Sequence, residues 1–114
     1  MHREGTFAEL PAEEPYPGLE RRTFDTGEAT VNEYTFQPAA SFPLHRHAQE
    51  QITLVVEGSV DVTVAGRSFG LQEGSWSVVG GGIEHSIRAG ANGAKIVAIV
   101  IPRREAADAY TVLG

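Results

Sequence analysis

From residue 30 onward the chain arrives in short packets closed by glycine or proline, and that rhythm permits few folds. "TVNEYTF" (30–36) alternates with period two and stops at Gln37-Pro38. "QITLVVEG" (51–58) ends at Gly58, and "SVDVTVAG" (59–66) puts Val60, Val62 and Val64 on one face. "RSFGLQEG", "SWSVVGGG", "EHSIRAG" and "AKIVAIVIP" complete the series. Side chains in extended chain alternate between faces, so such packets read as strands, with the glycines between Gly58 and Gly93 as turns or bulges. Many short strands at turn-rich spacing predict an all-β antiparallel sandwich or barrel. Only "PRREAADAYTVL" (102–113) reads as helical.

A chain of 114 residues supports one core and no second domain. Residues 1–20 hold Glu4, Glu9, Glu13 and Glu14 with Pro11, Pro15 and Pro17, and show neither period. They are expected to form an N-terminal arm that orders only across a neighbouring surface. The expected division is therefore an arm over 1–20, a barrel over 21–105 and a tail over 106–114. Net charge is −6, with one lysine, Lys95, and eight scattered arginines, which argues against nucleic acid and anionic membranes as partners. The absence of cysteine excludes disulfides, thiolate metal sites and a cysteine nucleophile. The longest apolar run, Ile96 to Ile101, is too short for a bilayer, and the acidic, Pro-rich beginning is unlike a signal peptide. A cytoplasmic location is expected.

Two of the four histidines, His45 and His47, stand one residue apart before a strand packet. In extended chain they share a face, and the same period takes in Gln49 and Gln51 while Glu50 points the other way. Imidazoles at this spacing can converge on one divalent metal ion. The alternative is a pair of surface histidines capping a loop. His85 weighs against that alternative, because it follows a second strand-and-glycine block, "EGSWSVVGGGIEHSI".

These two blocks resemble the paired motifs of the cupins, small double-stranded β-helix (jelly-roll) barrels that hold a metal inside. The first motif has two histidines one residue apart, an acid and a glycine; here it reads His45, His47, Gln51 and Gly58, with glutamine in the acid's place. The second reads Gly74, Gly80 where proline is usual, Gly82, His85, and Ala89 where asparagine is usual. The resemblance spans about residues 21–105. It implies a divalent transition metal (Ni, Fe, Zn, Mn or Cu) held by His45, His47, Gln51 and His85. With an amide in place of a carboxylate the ion keeps about two positive charges rather than one, which makes a weaker site but a stronger Lewis acid.

Glutamine in the "EQ" pair is also similar to the metal-binding cupins of unsaturated uronate breakdown, as are "GLERRTF" and the closing Pro102, Arg104 and Glu105. Where that subgroup carries an acid and an aromatic, this chain has Ala98 and Val100. Arg104 can clamp a carboxylate, and Tyr34 can donate a hydrogen bond if it faces the cavity. The resemblance thus implies a metal-dependent enzyme acting on a small carboxylate-bearing substrate by Lewis-acid isomerase or lyase chemistry. A metal-dependent dioxygenase and a non-catalytic small-molecule-binding or sensing module are the alternatives. Trp76 is expected to pack in the core or at the barrel mouth, the Gly80–Gly82 run to form a tight turn presenting His85, and Arg46 to point away from the metal. A small barrel with exposed strand edges and a polar arm suggests a homodimer.

Overall fold

A computed structural model describes residues 1–106 and 110–113. Among these residues, a 3₁₀ turn at Phe7–Glu9 is followed by nine strands: β1 (Glu13–Tyr16), β2 (Leu19–Asp25), β3 (Thr30–Phe36), β4 (Ser41–Arg46), β5 (Glu50–Val64), β6 (Arg67–Gln72), β7 (Trp76–Val79), β8 (His85–Ile101) and β9 (Thr111–Val112). Every pairing is antiparallel.

The two longest strands close the fold. The first half of β5 lies between β7 and the second half of β8, whereas its second half lies between β6 and the first half of β8. Each strand therefore belongs to two leaves: β1-β2-β3-β8-β5-β7 and β6-β5-β8-β4-β9. The bend in β5 falls at Gly58 (φ 72°), flanked by register shifts. Packets that the sequence separates, 51–58 and 59–66, are thus one strand passing through a glycine bulge rather than two joined by a turn.

The core lies between the leaves. Leu19, Tyr34, Phe36, Val55, Ile96 and Ala98 from one leaf meet Phe42, Val60, Val62, Ile87 and Ala89 from the other. The stretch read as an arm contributes β1 and the start of β2, and its first turn is tied down by Arg22, whose Nη1 donates to the carbonyls of Ala8 (3.0 Å) and Leu10 (2.7 Å). Among the described residues of 102–113 there is no helix, contrary to expectation; residues 107–109 lie outside the described residues. Instead Thr111 and Val112 pair with Arg46 and His45, so the chain end is drawn back onto β4 by ladder hydrogen bonds, which no local propensity could register.

Candidate metal centre

His45, next to last in β4, lies directly opposite His85, the first residue of β8. Their rings lie 4.2 Å apart by centroid, and His47, just past β4, completes the cluster at 5.4 Å from His45 and 5.0 Å from His85. One ring nitrogen from each falls within 4.8 Å of the others, and all three residues are buried. Gln51, 7% exposed, faces them from β5, while the neighbouring Glu50 is exposed, as strand alternation requires. Arg46 is exposed as well, and so is His2 in the N-terminal segment.

The glycine run holds the two histidine blocks together. Gly82 N–H donates to the His47 carbonyl at 2.7 Å, and Gly81 packs so closely that a Cβ there would meet the Ala48 carbonyl oxygen at 2.1 Å. The turn carrying the chain to His85 is thereby locked to the loop carrying His47, which explains why only glycine fits.

All three rings share one hydrogen-bonding device. Nδ1 of His45 faces the Pro43 carbonyl (2.8 Å), that of His47 the Gln49 carbonyl (3.0 Å) and that of His85 the Ile83 carbonyl (2.9 Å). A carbonyl oxygen only accepts, so Nδ1 carries the hydrogen and Nε2 presents a bare lone pair. Gln51 is oriented similarly: its Nε2 donates to Thr53 Oγ1 at 3.1 Å, which turns Oε1 to lie 3.1 Å from His47 Nε2 and 3.3 Å from His85 Nε2. Acceptors therefore converge on acceptors with no hydrogen to share, an arrangement that a cation among them relieves. The donor set fits a divalent transition metal, and the carbonyls and Thr53 are the outer partners that fix ligand orientation in such sites.

Burial also favours the neutral rings of His45 and His85. It is the main cause pushing His45 down to about 3 from 6.5, assisted by the proximity of His85 and opposed by the Pro43 carbonyl. His85 is lowered too, again mainly by burial. A histidine with a depressed folded pKa binds protons more readily when unfolded, so its contribution to stability is present above pH 6.5 and is lost as pH falls toward 3. The metal-free chain is expected to lose urea resistance over this window more steeply than His45→Gln does. Equal slopes for the two proteins would contradict this account.

The histidines open onto a cavity of about 20 Å³, whose walls include Asn32, Tyr34, Phe42, Ile96, Val100 and Arg104. Tyr34, 6% exposed, does face this cavity, packed edge-on against Phe42 and standing beside the buried Arg21 on β2. Arg104, 6% exposed, is drawn inward: its backbone N–H donates to Thr30 Oγ1 (2.9 Å) and its Nη2 to Asn32 Oδ1 (3.1 Å). No Asp or Glu lines the cavity among the described residues. Ala98 is buried across the ladder from Asn32 and Thr53, so no carboxylate arises from that position.

Sequence reading passed over Asn32, Thr53, Phe42 and Tyr110. The first two carried a usable signal, because each shares the inward parity of a singled-out neighbour, Tyr34 or Gln51. Tyr110 carried none. It stands 5.4 Å from His45 by ring centroid and is bonded to Tyr16 at 2.8 Å, contacts that join both ends of the chain. Trp76, expected to be packed, is 68% exposed on the outer face of β7.

Comparison with known proteins follows this geometry. The family model of the cupin domain matches residues 32–102. No curated protein sequence gives a match. Among solved structures, oxalate decarboxylase of Bacillus subtilis, described for its Mn(II) centres, superposes with a TM-score of 0.86 at 22% identity, over 96% of this chain and 32% of that one. The chain thus spans about a third of that protein's length. An RmlC-like cupin from Shewanella frigidimarina superposes at 0.83 with 24% identity, over 92% and 95% of the two chains. KdgF from Halomonas sp. does so at 0.79 with 24% identity, over 90% and 97%. At these identities the likeness speaks for the barrel.

Proposed function

The chain belongs to the cupin domain family, and on that premise we propose that it holds one divalent transition metal through His45, His47, His85 and Gln51 and acts on a small carboxylate-bearing molecule. The observation that carries this reading is the convergence of three bare Nε2 lone pairs and one amide oxygen beside a buried arginine. When bound, such an ion supplies Lewis acidity toward a carbonyl or carboxylate oxygen. Nickel, iron, zinc, manganese and copper all suit this donor set.

The residues around it divide the remaining tasks. Arg104, positioned by Asn32 and Thr30, offers a fixed positive charge to a carboxylate. Tyr34, two residues along β3 from Asn32, offers a phenolic hydrogen bond, and its burial with Phe42, Ile96 and Val100 keeps bulk water away. Neutral Gln51 leaves the ion's charge uncompensated, which favours an anionic ligand. The reaction class best served is isomerisation or lyase chemistry. The cavity, about 20 Å³, has room for little more than one water, so uronates and 2-oxo acids alike require its walls to yield.

One observation supports a second reading, a module that binds such an acid without turnover. A cavity with no carboxylate among its described walls leaves Tyr34 as the sole proton donor outside the ligand set and Arg104.

Element analysis of protein purified without an affinity tag, followed by calorimetric titration with matched acid and neutral ligands, tests the proposal. The acid should bind more tightly, and Arg104→Ala should reduce that preference roughly tenfold, the scale of one charge-assisted hydrogen bond of about 1.5 kcal/mol. Equal affinity for both members of a pair would overturn it. Turnover of the bound acid distinguishes the enzyme from the binding module.

A further inference from the structure

Two arginines stand side by side at 21 and 22, and strand alternation sends them to opposite faces of β2. Arg22 points outward and ties down the N-terminal turn. Arg21 points inward, is 5% exposed, and lies directly across the ladder from Tyr34. A guanidinium is always charged, so burying one is costly unless its donors are used. The fold itself uses them poorly. Nε reaches Glu13 Oε1 at 3.4 Å, a long contact with a half-exposed carboxylate, and such pairs contribute little. Nη1 is buried with no hydrogen-bond partner among the described residues.

What the guanidinium does meet is the Tyr34 hydroxyl, which lies within its reach for both charge attraction and a hydrogen bond. Tyr34 lines the cavity and Arg21 does not, so the arginine backs the phenol from outside the cavity wall. A guanidinium only donates, so the phenol oxygen is the acceptor in that contact. The hydroxyl hydrogen cannot point at the cation and is left for an acceptor inside the cavity. The neighbouring rung is built on the same plan. Thr23 and Asn32 are the next inward pair of the β2–β3 ladder, and Asn32 Oδ1 accepts from Thr23 Oγ1 at 2.7 Å and from Arg104 Nη2 at 3.1 Å. Two successive rungs of one ladder therefore hold the two groups that face a ligand, Arg104 and Tyr34, and groups held on strands are placed more precisely than groups on loops.

We propose that Arg21 is a positioning residue for Tyr34: it fixes the phenol oxygen as an acceptor and turns the hydroxyl hydrogen into the cavity, making Tyr34 a committed donor to an oxygen of the ligand. The inference rests on the reading of this cavity as the site of a small acid, and it adds a second recognised group to that acid. Arg104 suits the carboxylate. Tyr34 then calls for an acceptor beside it, such as the carbonyl oxygen of a 2-oxo acid. An ammonium in that place, all donor, is opposed by the hydroxyl hydrogen and by the positive charge behind it. The guanidinium also stabilises the negative charge that gathers on the phenol oxygen as its hydrogen is drawn toward the ligand. That support matters where Ala98 supplies no carboxylate.

Ultraviolet resonance Raman reads the contact without ligand or metal, because the tyrosine doublet ratio separates a phenol oxygen that accepts from a hydroxyl that donates. Subtracting the Tyr34→Phe spectrum isolates Tyr34 from Tyr16 and Tyr110, the other tyrosines of the chain. The wild-type signal should be that of an acceptor, and Arg21→Gln should abolish it. Glu13→Gln, which removes the ion pair and leaves the phenol in place, should not. Calorimetry on zinc-loaded protein with pyruvate reads the consequence. Tyr34→Phe and Arg21→Gln should each weaken binding about fivefold, the scale of one hydrogen bond, and the double variant no further, with zinc content unchanged throughout. Glu13→Gln should bind as the wild type does. A wild-type Tyr34 oxygen that does not accept overturns the proposal, even where Arg21→Gln fails to fold. So do losses that multiply in the double variant, or a Glu13→Gln loss equal to that of Arg21→Gln, which would make Arg21 a strut for β1. Wild type that ignores pyruvate while Tyr34 still reads as an acceptor would uphold the Arg21–Tyr34 contact and overturn the acid-binding reading beneath it.

Discussion

Replacing His85 with alanine is expected to lower metal affinity by on the order of 100-fold or more and to leave protein purified without added metal essentially empty. Changing outer partners of metal ligands commonly costs 10–100-fold, so loss of a direct donor belongs at or beyond the top of that range. His85 also faces Gln51 Oε1 at 3.3 Å and packs, tilted, against His45, so removing it leaves the remaining acceptors unable to close around an ion. Three companion variants separate ligation from general damage. Glu50→Ala should leave metal content unchanged, because that side chain is exposed on the opposite face. Thr53→Val should weaken binding by about tenfold, since the Gln51 amide loses the acceptor that points its oxygen at the histidines. Gln51→Glu should strengthen binding by replacing an amide with a charged carboxylate. Wild-type stoichiometry in a folded His85→Ala protein, measured by elemental analysis, would displace the site.

The physics behind that expectation was partly legible in the sequence. Period-two alternation sets Gln51 rather than Glu50 on the face of His45, and the described geometry has that arrangement. The fold class was legible for the same reason, because strand periodicity is a local property. What escaped is non-local or two-sided. Trp76 reads as packed because it shares the apolar face of "SWSVV" with Val78, opposite Ser75 and Ser77, and that face turns outward only because of how β7 docks on β5. β9 pairs with β4, a pairing with no signal in the segment's own composition. Arg104 could be placed at a strand end from its position. Its burial depends on Thr30 and Asn32, more than seventy residues away, which only the closed barrel supplies. The tautomers of the three histidines were equally hidden, because each is set by a backbone carbonyl whose direction depends on loop geometry.

Gly58→Ala is expected to be among the most destabilising single-methyl additions available in this chain. The backbone there has φ 72°, and an L-residue in that left-handed region costs roughly 1–2 kcal/mol. The larger penalty is steric. A Cβ at this position would lie 2.3 Å from the Gly93 carbonyl oxygen and 3.1 Å from the Ala94 Cα, so main chain rather than a movable side chain stands in the way. Relief requires β5 and β8 to part at the point where both cross from one leaf to the other, next to the register shifts at Val55/Glu57 and Gly58/Val60. Adding methylenes to a packed interior typically costs about 1–3 kcal/mol, so a total of about 2–5 kcal/mol is expected, a large share of a small domain's stability. Gly74→Ala isolates the conformational part. That glycine has φ 85°, but a Cβ there meets nothing within 4 Å, so its cost should stay near 1–2 kcal/mol. Urea unfolding of the two variants at one pH measures the difference. If they prove equally stable, the close approach of β5 and β8 at Gly58 is softer than the geometry implies, and the bend that carries Gln51 toward the histidines is set elsewhere.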